Sequence, residues 1–242
     1  YVPLGSPHTP ILPTPKWQGK SGLGKYGDFV METENVVGEI QKALKRIGQV
    51  ENTLFIFSSD NGCSKAAGIG NLAKQGHIVS AHLRGSKADL WDGGHRIPFI
   101  VKWPGKVKPG STSDFRTGFE DWMPTLLDLI NAKTKSPKTI DGISIASTIL
   151  GQPQPPRAFL YREFTGYGGQ QAVWAGQWKG IRQNMLRKNN KTPLKIELFN
   201  LKTDLSESKD VAAQHPEIVA RIRHHMEAQH TPSTTFPIPA ID

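Results

Sequence analysis

The sequence predicts an α/β fold: strands and helices in alternation, followed by a small antiparallel sheet that carries one helix. Three observations predict it. Short, almost wholly apolar runs at 52–58 (NTLFIFS) and 97–103 (IPFIVKW) read as strands buried on both faces, alternating with helical stretches. A segment with three prolines, Gly151 to Arg157, marks a change of pattern. Beyond it, four short strand-like runs crowd together before a single helix, the signature of an antiparallel sheet with a helix packed on it. The domain boundaries expected are therefore 1–151 and 152–242.

The elements follow in order. Residues 1–27 are rich in Pro and Gly and read as an irregular loop. From Asp28 to Ile47, apolar residues recur at three- and four-residue steps (Phe29, Val30, Val36, Val37, Ile40, Ala43, Leu44, Ile47), and Gly48 stops the helix. The 52–58 strand runs straight into Asp60-Asn61-Gly62. Residues 62–96 hold many Gly, His and Lys with little periodicity and read as a long functional loop. The strand at 97–103 ends at Pro104-Gly105. Phe119 to Ile130 reads as a helix with Trp122, Leu126, Leu127 and Ile130 on one face, and 143–150 as a short helix or turn. In the second domain, strands are expected at 159–163, 171–175, 178–182 and 195–201, and a helix from Pro216 to Met226. The tail after His230 is expected to be poorly ordered.

Composition narrows the class. Of 242 residues, 37% are hydrophobic and 21% charged, which fits a globular chain and not a disordered one. No apolar run is long enough to cross a membrane. The single cysteine, Cys63, cannot form an intrachain disulfide. The net charge of +9 suits anionic partners, but no Lys/Arg block exceeds two residues, so no nucleic-acid partner is expected.

Three segments carry chemistry. Asp60 and Asn61, at the carboxyl end of a strand where ligands of open α/β sheets sit, offer oxygen donors to a hard cation; a plain Asp-Asn-Gly turn is the alternative. Lys87 lies in a stretch that runs on to Asp92-Gly93-Gly94-His95-Arg96, where glycines permit close backbone approach and a lysine can hold an oxyanion as a point charge. His8, between Pro7 and Thr9-Pro10 on a stiff backbone, can hydrogen-bond an anion or protonate a leaving group.

In order and spacing these pieces resemble the sulfatase family of the alkaline-phosphatase superfamily, closest to its arylsulfatase-like branch. The match runs from Pro7-His8-Thr9-Pro10 through Gly19-Lys20-Ser21, Tyr26-Gly27-Asp28, the run 52–62, Leu83-Arg84-Gly85-Ser86-Lys87, Asp92–Arg96 and Trp103-Pro104-Gly105. It continues through Asp121-Trp122-Met123-Pro124-Thr125, Asp141-Gly142-Ile143-Ser144, Gln177-Trp178-Lys179 and Glu197–Leu201 to Asp204 and Glu207, covering residues 1–230. The resemblance implies an alkaline-phosphatase-like mixed-sheet sandwich, represented by its C-terminal part. It implies calcium bound by Asp60 and Asn61, and sulfate-directed roles for Lys87 and His8 as the catalytic residues of this stretch. It also implies a formylglycine nucleophile made by a separate maturation enzyme, and a sulfated small molecule or sulfated glycan as substrate. Location in the periplasm or outside the cell, or in the lysosome of an animal, is a further implication.

The chain departs from the pattern in three places. The nucleophile motif Cys/Ser-x-Pro-x-Arg is absent from all 242 residues, so the nucleophile is expected in an N-terminal part outside them and this stretch alone is expected to be inactive. Asp92 replaces the more usual Glu, and Trp174 stands where an arginine is common. The alternatives kept open are a phosphodiesterase or phosphonate hydrolase of the same superfamily and a non-catalytic remnant that binds sulfated polymers through its basic surface.

Overall fold

The computed structural model describes all residues from Tyr1 to Asp242. Its elements in chain order are α1 (Gly24–Arg46), β1 (Phe55–Ser58), α2 (Ile69–Lys74), α3 (Asp92–His95), β2 (Phe99–Lys102), α4 (Trp122–Leu129), α5 (Ala146–Ile149), β3 (Leu160–Phe164), β4 (Gln170–Ala175), β5 (Trp178–Arg182), β6 (Glu197–Asn200) and α6 (Pro216–Gln229). No helix is long and apolar enough to cross a membrane. The mixed α/β architecture expected from the sequence is present. By Cα proximity the chain divides into two units, one of residues 1–40, 59–98 and 158–242, the other of 41–58 and 99–157.

The first unit is built on a four-stranded antiparallel sheet of order β3-β4-β5-β6. Every residue of β4 is buried, so this sheet is covered on both faces. Val173 and Ala175 point to one face, where Ile196, Leu198 and the Ile222 and Met226 side chains of α6 close a core. Pro216 in the first turn and the Ile222–Met226 spacing place α6 there, and its contact is close: a Cβ on Gly180 would lie 2.5 Å from Ile222 Cγ2. Ala172, Trp174 and Ile181 point to the other face, where they meet Leu90 and Trp91. The loop between residues 84 and 96 is thus the second cover of the sheet. Residues 62–96, read from sequence as one long loop, also hold α2 and the single turn α3.

The N-terminal loop is fastened to α1 by polar side chains. Asp28 accepts hydrogen bonds from the Gly19 and Ser21 amides and the Ser21 hydroxyl, each at 2.8 Å. These donors hold its carboxyl below the ordinary aspartate range, the Ser21 amide contributing most. Glu32, one turn on, accepts from Thr14 N and Oγ1. The two residues of α1 that are buried are Asp28 and Thr33, not its apolar stripe, whose Val30 is exposed.

In the second unit β1 pairs antiparallel with β2, Phe55 opposite Lys102. Neither strand is buried on both faces as expected: β1 is half-buried, and Phe99 and Ile100 of β2 are exposed. A two-stranded ribbon has too few neighbours to cover either face. Two motif pieces meet here: Asp121 accepts from Ile143 N at 2.9 Å and from Arg157 Nη2 at 2.5 Å, while Thr125 Oγ1 accepts from Ile145 N. The expected disorder after His230 is also corrected. Ile238 is fully buried, and Asp242 bonds back to His230 Nε2 at 3.0 Å, so a buried anchor and a carboxylate hold the tail.

Candidate active site

Asp60 and Asn61 leave β1 at its carboxyl end, and backbone contacts fix what stands beside them. Gly62 N donates to Gly94 O at 2.8 Å, and Lys87 N donates to Cys63 O at 2.9 Å. No side chain fits between these segments: a Cβ on Gly62 would lie 1.9 Å from Gly93 O. The structure therefore brings the Asp60–Asn61 turn and the Lys87 segment into one cluster.

Asp60 is exposed, and its carboxylate has only a 3.5 Å contact with the Ser59 hydroxyl. The Asn61 amide nitrogen donates to Gly62 O at 3.0 Å, which leaves its side-chain oxygen as an acceptor not used by that bond. Two adjacent oxygen donors fit a hard cation as part of a ligand set, yet calcium takes six to eight. No group of three or more His, Cys, Asp or Glu that could hold a metal ion occurs in the chain. The donor set is thus compatible with calcium and incomplete for it.

Lys87 is half-buried, and its ammonium has neither a hydrogen bond nor an ion pair, so it is available to an anion. Its backbone is rigid. Gly85 and Ala88 on either side have φ of 87° and 75°, Ser86 N donates to Asp89 Oδ2, and Gly93 N donates to Arg84 O at 2.7 Å. Gln170, the fully buried first residue of β4, clamps the same stretch: its Nε2 donates to Ala88 O and its Oε1 accepts from Leu90 N, both at 2.9 Å. His8 stands apart, exposed and bonded only within its own turn, with Nδ1 2.9 Å from Thr9 O. The structure does not bring it into contact with Lys87 or with the Asp60–Asn61 pair.

Under the Lys87 loop lies a buried charged cluster that sequence reasoning did not assign. Lys179 of β5, with no exposed side-chain surface, reaches Asp92 Oδ1 at 2.8 Å and Glu207 Oε1 at 2.5 Å. Glu207 Oε2 accepts from Asp92 N, and Arg84 Nη1 donates to Glu207 O. Trp174 Nε1 donates to Asp92 Oδ1 at 3.2 Å, and the Trp174 ring underlies the Lys179 ammonium at 4.6 Å. Arg84 covers Trp91 at 3.7 Å. Burial is the largest single influence on Asp92 and would raise its pKa, but the Lys179 charge and hydrogen bond, with His95 and the Trp174 donor, together outweigh it and the carboxyl is held low; Glu207, for which burial dominates, is pushed up. His95 is neutral at physiological pH, lowered to about 4 by burial and by the Lys179 charge, and sits edge-on to Trp174 at 5.0 Å. Lys179 and Glu207 belong to quoted motif pieces, but sequence spacing gives no sign that residues 87 and 115 positions from Asp92 meet it.

Cys63 is an ordinary thiol here. It is half-buried, burial raises its pKa, and it donates to Tyr26 Oη at 3.3 Å. His77 and His82 are exposed and lie outside this cluster.

The family model described as Sulfatase matches residues 1–132, and that described as N-sulphoglucosamine sulphohydrolase, C-terminal, matches residues 86–232. The N-acetylgalactosamine-6-O-sulfatase of Bacteroides thetaiotaomicron is 31% identical over 96% of this chain and 47% of its own length; Arylsulfatase G of Rattus norvegicus is 28% identical over 90% and 44%. Among solved structures, a protein of glycosaminoglycan metabolism in Bacteroides thetaiotaomicron superposes with a TM-score of 0.77 at 30% identity, covering 92% of this chain and 48% of the other. Another, solved in complex with k-i-k-neocarrahexaose, gives 0.72 at 26% identity over 92% and 48%. The chain spans about half the length of the curated relatives it matches.

Proposed function

We propose, from the premise that this chain belongs to the sulfatase family, that it supplies one half of a sulfuric ester hydrolase site. The observation that carries the proposal is the backbone junction that sets Asp60 and Asn61 beside the Lys87 segment. An ammonium without a partner and two adjacent oxygen donors, locked in one loop cluster, suit a doubly charged oxyanion and a cation that neutralises it.

In this reading Lys87 holds a sulfate oxygen as a point charge. Asp60 and Asn61 hold calcium together with ligands from outside these 242 residues. Bound there, calcium would polarise the sulfate as a Lewis acid. His8 hydrogen-bonds the sulfate or hands a proton to the leaving oxygen, which requires its exposed turn to approach the cluster when substrate is bound. The nucleophile, a formylglycine installed by a maturation enzyme, comes from the part of the protein that carries Cys/Ser-x-Pro-x-Arg, and the stretch described here does not turn over on its own. The buried Lys179–Asp92–Glu207 cluster acts through position: it holds the Lys87 loop against the small sheet and touches no substrate.

A sulfated sugar is the substrate class favoured. The relative in Bacteroides thetaiotaomicron is named for a sulfated amino sugar, and the +9 charge of this chain suits a polyanion. The test is turnover of 4-nitrophenyl sulfate by the full-length protein. We expect activity, a loss of about 10²–10³ in kcat/KM for Lys87→Ala, and a loss of calcium dependence for Asp60→Ala. Absence of sulfate-ester turnover, or a Lys87→Ala variant as active as the parent, overturns the reading.

A further inference from the structure

Three cations that the sulfate-ester reading leaves unused line one cleft. Between β5 and β6 the chain forms a cleft of about 630 Å³ lined by Asn184, Arg187, Lys188, Asn190, Lys195 and Glu197 among others. Arg187 and Lys188 are exposed and have no ion-pair partner, while Lys195 faces Asp210 only at 3.6 Å. Glu197 is the single acid among the lining residues, and the remaining walls are mainly amide side chains. Cations suit sulfate oxygens, and amides both donate to and accept from sugar hydroxyls.

The cleft is braced. Asn190 Nδ2 donates to Asn184 O at 3.0 Å and to Gln183 O at 3.3 Å, and its Oδ1 accepts from Thr192 N at 2.9 Å. Met185 N and Leu186 N donate to Gly169 O and Gly168 O, which stitches the loop to the turn between β3 and β4. That turn presents Tyr167, 54% exposed and held at φ 53°. A bulky residue in the left-handed region is strained, and such strain gathers at ligand sites. Next to it, Gly168 lies against Arg187: a Cβ there would be 3.2 Å from Arg187 Nε.

This surface reaches toward the Lys87 segment. Lys65 Nζ lies 5.2 Å from the centre of the Tyr167 ring, and Lys65 is two residues beyond Cys63, whose carbonyl accepts the Lys87 amide. On the other side, Gln183 Nε2 donates to the Gln170 oxygen that also accepts from Leu90 N. Two independent contacts thus run from the Lys87 loop to the cleft.

We propose that the β3–β4 turn and the β5–β6 loop form a second binding face for a sulfated oligosaccharide, taking the sugar units that flank the ester held at Lys87. The proposal rests on the reading of Lys87 as the sulfate-binding lysine, because that anchor sets where the flanking units fall. It assigns Arg187, Lys188 and Lys195 to the flanking sulfates and Tyr167 to a sugar face.

The experiment is calorimetric titration of the full-length protein with a heparin-derived hexasaccharide and with its fully desulfated counterpart, at about 0.1 M salt where surface charges still act. The parent is expected to bind the sulfated form alone. The variant Arg187→Glu/Lys188→Glu is expected to bind about tenfold more weakly. Lys106→Glu/Lys108→Glu, an equal change of charge at exposed lysines outside the cleft, is expected to bind as the parent does. Thermal midpoints within a degree or two of the parent show that both variants are folded. Equal weakening by both pairs means a general attraction of a basic protein and overturns the proposal, as does unchanged binding by the Arg187/Lys188 pair, failure of the parent to bind, or equal competition by a single-stranded DNA hexamer. Turnover of 4-nitrophenyl sulfate is read separately: its absence removes the sulfatase reading, whereas its presence with unaltered hexasaccharide binding removes the second face alone.

Discussion

The Lys179 ammonium donates to Asp92 Oδ1 at 2.8 Å although the two residues stand 87 positions apart, and neither is accessible to solvent beyond a few per cent. One sheet residue therefore fixes the turn that follows the Lys87 segment. Two carboxylates, Asp92 and Glu207, share that one charge. Removing it leaves two buried anions facing each other. A buried pair is weak evidence for net stability, but breaking one is costly, about 3–5 kcal/mol. Lys179→Met, which keeps the volume and loses the charge, is expected to lower the unfolding free energy by that amount in urea titration. Adding Glu207→Gln should restore part of it, since one of the two opposed charges is then gone. A loss under about 1 kcal/mol for the single variant would mean the cluster carries no such weight.

Trp174 is the second support of Asp92. Its Nε1–H is a donor to a buried carboxylate, and hydrogen bonds to charged groups contribute about 1.5–3 kcal/mol. Trp174→Phe keeps a ring against His95 and removes the donor, so a loss near 2 kcal/mol is expected. In an Asp92→Asn background the cost should shrink, and the double-mutant cycle should give a coupling above about 0.5 kcal/mol. Additive costs would show that the two residues do not act on each other.

This pair also shows where sequence reasoning reached and where it stopped. Asp92 and Trp174 each stand out as departures from the family pattern, and nothing in the one-dimensional pattern says they touch. The four strands of the small sheet and α6 are legible because short strand-like runs close together in sequence, and Pro216 at the helix start, announce them locally. The adjacency of Asp60–Asn61 to Lys87 was legible only through resemblance, because it depends on glycines at 62, 93 and 94 packing backbone on backbone. Lys179 was opaque for a different reason. A lysine in a strand reads as a solvent-facing residue, and its burial depends on a carboxylate 28 residues later and another 87 residues earlier. The burial of β1 and β2 was overestimated because apolar composition records what a strand is made to pack against and not what packs on it here.

Glycine substitutions separate close packing from helix entropy. A Cβ on Gly94 would lie 2.1 Å from Asp89 O and 2.7 Å from Ser86 O, both backbone atoms that cannot swing aside. Gly94→Ala is expected to destabilise by about 1–3 kcal/mol and to speed amide exchange at Gly62 and Lys87, whose hydrogen bonds join the two segments. Gly38, inside α1 with nothing within 4 Å, should behave oppositely: Gly38→Ala is expected to stabilise by about 0.5–1 kcal/mol. Exchange at Lys87 unaltered by Gly94→Ala would show that the turn does not hold the Lys87 segment.

His95 sets a pH dependence whose sign can be worked out. Its Nε2 lies 3.1 Å from Leu90 O, so the neutral ring donates there, and burial together with the Lys179 charge lowers its pKa from 6.5 to about 4. The unfolded chain then binds a proton at His95 more readily than the folded one. Its contribution is complete above about pH 6.5 and is lost as the pH falls toward 4, with a ceiling of about 3 kcal/mol. Asp92, whose pKa is also lowered, begins to lose its own contribution only as the pH falls below the ordinary aspartate range, so the two effects separate. Urea midpoints measured from pH 7 to pH 4 should therefore fall in the parent and fall less in His95→Gln, which retains a donor for Leu90 O and does not titrate. Parallel pH profiles for the two proteins would place the proton uptake elsewhere.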